Sequence, residues 1–142
     1  MKTKLLMLFV LLGSLWTSNL YAQTRYPKRE FRGAWIQCVN GQFQGMPTEK
    51  MKKVLVSQLD NLQKAGINAI IFQVRAEADA LYKSPYEPWS RFLTGVQGKA
   101  PSPMWDPLQF MIEECHKRNM ELHAWINPYR AKTKGTGALS PM

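Results

Sequence analysis

Charged residues gather where an apolar run of the sequence ends. The run over residues 69–74 is interrupted only by Gln73, and Arg75, Glu77 and Asp79 follow it at once. A strand that is apolar on both faces is typical of a parallel sheet covered by helices. Because α/β barrels and doubly wound sheets build their sites at the carboxyl ends of such strands, these residues predict the mouth of an active site.

Aromatic and polar residues recur at the ends of two other predicted strands and in the long loop after residue 75. Flat aromatic rings suit the C–H faces of sugars, whereas arginine, amide and carboxylate groups suit their hydroxyl rims. We therefore predict a carbohydrate-binding site. The candidate substrate-binding residues are Trp35, Gln37, Arg75, Glu77, Asp79, Tyr82, Trp89, Trp125, Asn127, Tyr129 and Arg130.

The residues that would break a glycosidic bond are not identified by the sequence. Such hydrolysis normally takes two carboxyl groups, and Glu77, Asp79 and Glu87 are the acids near the predicted mouth. None has a sequence signature for either role, so Glu77 and Asp79 remain weak catalytic candidates. The two cysteines and two histidines lack the spacing of a metal site, and we predict neither a metal nor a cofactor.

Several candidates also have a purely structural interpretation. Trp35 and Trp125 lie within predicted strands and would fit a core as well as a site. Arg75 and Glu77 would form a structural salt bridge if they pair with each other, and the Asn127-Pro128 pair is also a turn signal.

Strands and helices alternate in the segments that position these residues. Strands are predicted over 31–38, 68–75 and 121–126. Thr48 and Asp106 are predicted N-caps of the helices between them, with Gln109 placed to complete a capping box. Gly66 and Asn119 are predicted left-handed helix ends. His123, inside the third strand, is predicted to be a core histidine rather than a catalyst.

This order of elements predicts an α/β fold with parallel strands and right-handed crossovers. Such a unit is either an open sheet or the N-terminal portion, about three βα units, of a (β/α)8 TIM barrel. We expect the second, with the chain truncated after strand three.

The first 22 residues are predicted to be a signal peptide. Lys2 and Lys4 precede an apolar stretch over residues 5–12 that is short for a membrane span. We expect export to the periplasm, cell envelope or extracellular space, a mature domain over 23–142, and no stable membrane span after cleavage.

The net charge bears on which partners the protein binds, and the two cysteines bear on whether it contains a disulfide. Loss of the two signal-peptide lysines lowers the formal charge from +9 to +7 (9 − 2), and the basic residues are scattered rather than concentrated. We therefore predict no nucleic-acid partner. Cys38 and Cys115 are expected to be buried free thiols, although export would permit a disulfide.

The sequence resembles the glycosyl-hydrolase-like family 10 domain. The resemblance covers nearly all of residues 29–130. The matching segments are Arg29–Ile36, Gly66–Arg75, Ala78–Tyr82, Glu87–Ser90, Leu93–Gly95, Asp106–Leu108 and His123–Arg130.

This resemblance implies a (β/α)8 barrel, an exported bacterial protein and a retaining-type glycoside hydrolase that acts on a polysaccharide or cell-envelope glycan, including peptidoglycan strands without peptides. It also implies an acid/base carboxylate after strand four and a nucleophile after strand seven, both beyond Met142. The residues of this chain would then form the substrate-binding part of the cleft.

Two other classes of function remain as alternatives. A non-catalytic carbohydrate-binding envelope protein on a degenerate barrel would share the same aromatic and polar residues. A small nucleotide-binding sheet is the weaker alternative, because no glycine-rich phosphate-binding pattern follows the first predicted strand.

Overall fold

The computed structural model describes residues 30–132, which form a three-stranded parallel sheet with three helices. The strands are β1 (Gly33–Ile36), β2 (Ala69–Arg75) and β3 (Glu121–Ile126), in the order β1-β2-β3. The helices are α1 (Thr48–Lys64), α2 (Arg91–Thr94) and α3 (Pro107–Lys117). Both strand pairs are parallel, which confirms the predicted alternation and direction. Within this range no helix is long and apolar enough to cross a membrane.

The sheet register places alternate side chains on opposite faces. Ile70, Phe72 and Val74 of β2 are buried in one core with Leu55 of α1 and Met111 of α3. On the opposite face, the partner positions Trp35, Ile71 and His123 lie side by side across the three strands. The core therefore fixes β2 and presents its carboxyl end between those of its two neighbours.

The apolar run of β2 is buried as predicted, whereas β1 and β3 are partly exposed. Only β2 is buried along most of its length. Trp35 of β1 is 66% exposed and Ile126 of β3 is 49% exposed. The physical reason is position, because β1 and β3 are the two edges of the sheet within the described residues.

The helix ends follow the predicted chemistry at three of four positions. Asp106 caps α3, and its Oδ1 accepts a hydrogen bond of 3.0 Å from the Gln109 backbone N–H. Gly66 and Asn119 have φ angles of +81° and +54° and end their helices as predicted. The predicted N-cap Thr48 is wrong. Pro47 occupies that position, and Thr48 is already helical and buried.

The capping box predicted at α3 is only half formed. The Gln109 side chain does not return to the cap, because its Nε2 donates to Glu113 Oε1 over 2.9 Å along the helix surface. Asp106 instead supports a second backbone group, the N–H of Lys83, at 2.9 Å from Oδ2. One carboxylate thus ties the loop after β2 to the start of α3.

We expect Asp106→Ala to lower the free energy of unfolding by about 1–2 kcal/mol, since a lost N-cap costs about 1 kcal/mol and Lys83 also loses an acceptor. Thermal unfolding measures the change. Asp106→Asn separates the two contacts, because its single acceptor oxygen can serve only one of the two backbone N–H groups, and it should lose less stability than the alanine variant. Equal melting temperatures for the alanine variant and the wild type would refute the double role.

The long loop after β2 contains α2 and a local backbone bridge. Ala80 pairs in parallel with Trp89, and its N–H donates to the Pro88 carbonyl over 2.9 Å. The Ser90 side chain caps α2 by accepting from the Phe92 N–H at 3.2 Å. These contacts hold the loop close to the end of β2.

The cysteine prediction is confirmed and the histidine prediction is wrong. Cys38 and Cys115 are fully buried free thiols; burial raises the pKa of Cys38 to about 12 and that of Cys115 to about 11. His123 is exposed and contacts Glu121 and the ring of Phe31. It lies on a sheet face that the described residues leave open. The predicted signal peptide lies outside those residues.

Candidate functional site

Arg75 joins the carboxyl ends of β2 and β3. Its Nε donates to Glu87 Oε1 over 2.5 Å, and its Nη1 donates to the Asn127 carbonyl over 2.6 Å. The Asn127 N–H in turn donates to the Arg75 carbonyl over 3.0 Å. The prediction that Arg75 and Asn127 meet at one edge of the sheet is confirmed. The alternative pairing of Arg75 with Glu77 is wrong, because Glu87 from the loop takes that place.

Asn127 connects this edge to an aromatic pair. Its Oδ1 accepts the Trp125 indole N–H over 2.9 Å, while its Nδ2 donates to the Ala76 carbonyl over 3.1 Å. The ring of Trp125 meets that of Trp35 edge to face, with 4.9 Å between centroids and 89° between planes. We call Arg75, Glu87, Asn127, Trp125 and Trp35 the rim. It links all three strands through direct contacts.

Gln73 supports the rim from beneath. This fully buried amide accepts hydrogen bonds at Oε1 from the backbone N–H groups of Cys38 (3.0 Å) and Val39 (3.2 Å). It therefore fixes the direction in which the chain leaves β1. Its Nε2 has no partner among the described residues.

Glu77 and Arg91 form a two-pronged ion pair behind the rim. Arg91 donates from Nε to Oε2 (3.1 Å) and from Nη2 to Oε1 (3.2 Å), and the Glu77 side chain is almost fully buried. A bidentate pair holds a carboxylate in one orientation. This pair joins the start of the loop to α2.

Asp79 is fully buried two residues further on. Its Oδ1 accepts from the Glu77 backbone N–H at 3.4 Å, while Oδ2 is buried without a partner among the described residues. Burial raises the pKa of Asp79, as does the nearby negative charge of Glu77. The nearby polar groups of the Ser90 side chain and of the Glu77 and Arg91 backbone act on the pKa of Asp79 in the opposite direction. Folding therefore shifts the protonation equilibrium of Asp79 towards the neutral acid, relative to the unfolded chain.

A raised carboxyl pKa predicts a definite pH dependence. As the pH rises above about 4, Asp79 ionises freely in the unfolded chain but less readily in the folded one, so its contribution to stability declines. We expect Asp79→Asn to gain stability relative to the wild type as the pH is raised from 4 to 7. Urea unfolding over this range measures the difference.

Glu114 provides a control of opposite sign. Hydrogen bonds from Lys117 and Arg118 lower the pKa of Glu114, so its contribution to stability is gained as the pH rises. Glu114→Gln should therefore lose stability relative to the wild type over the same rise. Parallel curves for Asp79→Asn and the wild type would contradict the raised pKa of Asp79.

The remaining candidates are not members of the rim. Tyr82 is half-buried, and burial and the charge of Glu87 raise the pKa of Tyr82. Trp89 is half-buried against the core. Gln37, Tyr129 and Arg130 are exposed. That these five residues bind substrate stays a prediction.

The structural roles of Gln73, Glu87 and Arg91 were not predicted from the sequence. Gln73 had a signal, since a lone amide inside an apolar run indicates a buried group with a specific partner. Glu87 and Arg91 carry no such signal, because nothing local shows which charge in the loop pairs with which. No group of three or more residues suited to hold a metal ion occurs within residues 30–132.

Comparison with known proteins agrees with this arrangement. Residues 30–139 match the family Glycosyl hydrolase-like 10. The chain belongs to this family. It is 45% identical to "Glycosyl hydrolase YngK" of Bacillus subtilis over 125 residues, which is 85% of this chain and 24% of that protein. It is 38% identical to "Glycosyl hydrolase DigH" of Escherichia coli K12 over 120 residues, 77% of this chain and 27% of that protein.

The chain therefore spans about a quarter of the length of these relatives. All residues of the rim lie within the part of the chain that matches Glycosyl hydrolase-like 10. The mixed α/β fold with a parallel sheet agrees with a partial TIM-barrel-like domain.

Proposed function

We propose that the protein is an exported glycoside hydrolase acting on a polysaccharide or cell-envelope glycan, and that this chain supplies part of its substrate-binding surface. The observation that carries the proposal is the rim: Arg75, Asn127 and Trp125 are joined by direct hydrogen bonds at the carboxyl end of a parallel sheet. Sites of α/β barrels are built at this end. Membership of Glycosyl hydrolase-like 10 supports the same class of activity.

The proposed substrate suits the chemistry of the rim. Aromatic rings at Trp35 and Trp125 offer flat apolar surfaces, and Gln37, Tyr129 and Arg130 add exposed polar groups a few residues away along the chain. Sugars combine an apolar ring face with a polar edge, so both kinds of group contribute to their binding. Arg75 and Asn127 act mainly by holding the rim together, since their polar groups contact the protein itself.

We place the catalytic carboxyl pair outside residues 30–132. Glycoside hydrolysis takes one carboxyl group as acid and a second as nucleophile or base, about 5–10 Å apart and both facing the substrate. Glu77 is nearly buried and held by Arg91, and Asp79 is fully buried. Their contacts indicate that these two acids support the loop. Their burial keeps them away from a bound glycan.

The test is hydrolysis by the intact protein. Incubation with peptide-free glycan strands prepared from peptidoglycan is expected to release new reducing ends, measured chemically and by mass spectrometry of the products. Binding of the strands without any new reducing ends would favour the non-catalytic carbohydrate-binding alternative. Neither binding nor cleavage of these strands or of other envelope polysaccharides would contradict both.

A further inference from the structure

Trp35 and Trp125 form a right-angled corner on the open face of the sheet. Their rings meet at 89° with 4.9 Å between centroids, and Trp35 remains 66% exposed. The edge-to-face contact fixes the orientation of both rings, so that together they present a defined apolar surface beside the carboxyl ends of β1 and β3.

Asn127 fixes the orientation of the corner. The amide uses Oδ1 to accept the Trp125 indole N–H and Nδ2 to donate to the Ala76 carbonyl. Both polar atoms of its side chain are therefore engaged by the protein, which leaves Asn127 as a positioning residue rather than a direct ligand of substrate.

Beside the corner runs a groove of about 590 Å³ between β1 and α1. Its polar lining consists of amide side chains, with no charged residue among the described residues that line it: Gln37, Asn40, Gln42, Gln58 and Asn61. Trp35 forms its apolar end together with Ile36 and Leu62. Within this lining the Gln58 Nε2 donates to the Gln42 Oε1 over 3.5 Å.

This lining discriminates between kinds of ligand. An anion would find no cationic side chain in it, and an apolar chain would take the exposed polar atoms of Gln37 and Asn40 out of water at a cost. Uncharged hydroxyl groups both donate to and accept from amides, so a ligand edge that carries them can pair with the exposed amides of Gln37 and Asn40. A neutral pyranose ring with its hydroxyl edge matches both the corner and the groove.

We propose that the Trp35–Trp125 corner is a stacking subsite for one pyranose ring of a neutral glycan, that the amide groove takes the hydroxyl edge of the adjoining sugar, and that Asn127 positions the corner. This inference rests on the proposed action on glycans. It adds where one sugar ring binds, which side chains it stacks on and which residue positions them.

Binding of chitotetraose, a soluble oligomer of N-acetylglucosamine, to the intact protein tests the subsite. Trp35→Leu keeps apolar bulk but removes the flat ring, and we expect its dissociation constant to rise about tenfold or more. Phe31→Leu is the matched control, because Phe31 is similarly exposed (61%) before β1 but contacts His123 instead of the corner. It should bind like the wild type.

A spectroscopic measurement tests the role of Asn127. Two indoles in fixed contact produce an exciton couplet in the circular dichroism spectrum, and Trp35→Leu should abolish it. Asn127→Ala should weaken both the couplet and chitotetraose binding while the protein stays folded, as judged by a cooperative thermal transition. An unchanged couplet in folded Asn127→Ala would overturn the positioning role.

The outcomes separate the subsite from the proposed function. If the wild type binds chitotetraose and cleaves glycan strands but Trp35→Leu does both equally well, the subsite is wrong and the hydrolase proposal stands. If the wild type neither binds chitotetraose nor acts on any glycan, the hydrolase proposal is wrong, and the subsite falls with it.

Discussion

Gln73→Met should lower the free energy of unfolding by about 3 kcal/mol, since it removes the acceptor of two buried backbone N–H groups that cost about 1–3 kcal/mol each when left unpaired. Methionine is close to glutamine in size, so the change measures the lost hydrogen bonds rather than a cavity. Urea unfolding of the intact protein provides the measurement. We also expect weaker glycan binding, because residues 38–40 would no longer be held against β2.

The control for this effect lies at the end of β1. Gln37→Met introduces the same side chain at an exposed position whose own amide supports no buried backbone group. Its free energy of unfolding should stay within about 0.5 kcal/mol of the wild type. A loss of less than about 1 kcal/mol in Gln73→Met would show that Cys38 and Val39 find other acceptors and that Gln73 is not the support of the rim.

Arg75→Ala should reduce turnover on glycan strands by on the order of 100-fold, because small displacements of substrate-positioning groups have effects of this size. The guanidinium holds Glu87 of the loop and the Asn127 carbonyl after β3, so its loss frees both from β2. The free energy of unfolding should also fall by about 2 kcal/mol, a typical effect for a hydrogen-bonded charge. Steady-state kinetics and urea unfolding measure the two effects separately.

Arg118 offers a matched comparison for Arg75. Its side chain is 13% exposed against 16% for Arg75, and it pairs with Asp60 and Glu114 at the turn before β3, away from the rim. Arg118→Ala should lose comparable stability with little change in turnover. Equal losses of turnover in the two variants would indicate that destabilisation alone lowers turnover. The specific role of Arg75 in the rim would then be refuted.

The sheet and its helices were predictable because their signals are local. The apolar run over 69–74 specifies a buried strand whatever its neighbours are, and Asp106 caps α3 through a backbone group only three residues away. Gly66 and Asn119 end their helices for a reason that is equally local, the left-handed backbone that follows each helix. Parallel order then follows from the helices between the strands.

The contacts of the site were less predictable because they join distant residues. Arg75 has two acids nearby in sequence, Glu77 and Glu87, and spacing alone does not indicate that the more distant one is its partner. Gln73 is visible as an odd residue in an apolar run, yet its partners lie 34 and 35 residues earlier. The misplacement of His123 has a related cause, since burial depends on which elements cover a sheet face.

In both the rim and the loop, polar groups inside the fold hold in place the groups that face outward. Gln73 directs the exit from β1, Arg75 fastens the loop and β3 to β2, and Asn127 orients Trp125. Glu77 and Arg91 brace α2 behind them. Substitutions in this support should therefore alter glycan binding even where the substituted residue makes no contact with glycan.

Amide hydrogen exchange of the intact protein, with and without chitotetraose, tests most directly whether the carboxyl ends of the three strands form one glycan-binding edge. We predict that the ligand slows exchange in residues 37–42, 76–90 and 127–130, and leaves the opposite ends of the strands, at residues 65–68 and 118–120, unchanged. Protection confined to those opposite ends, or to only one of the three carboxyl-end segments, would contradict the account.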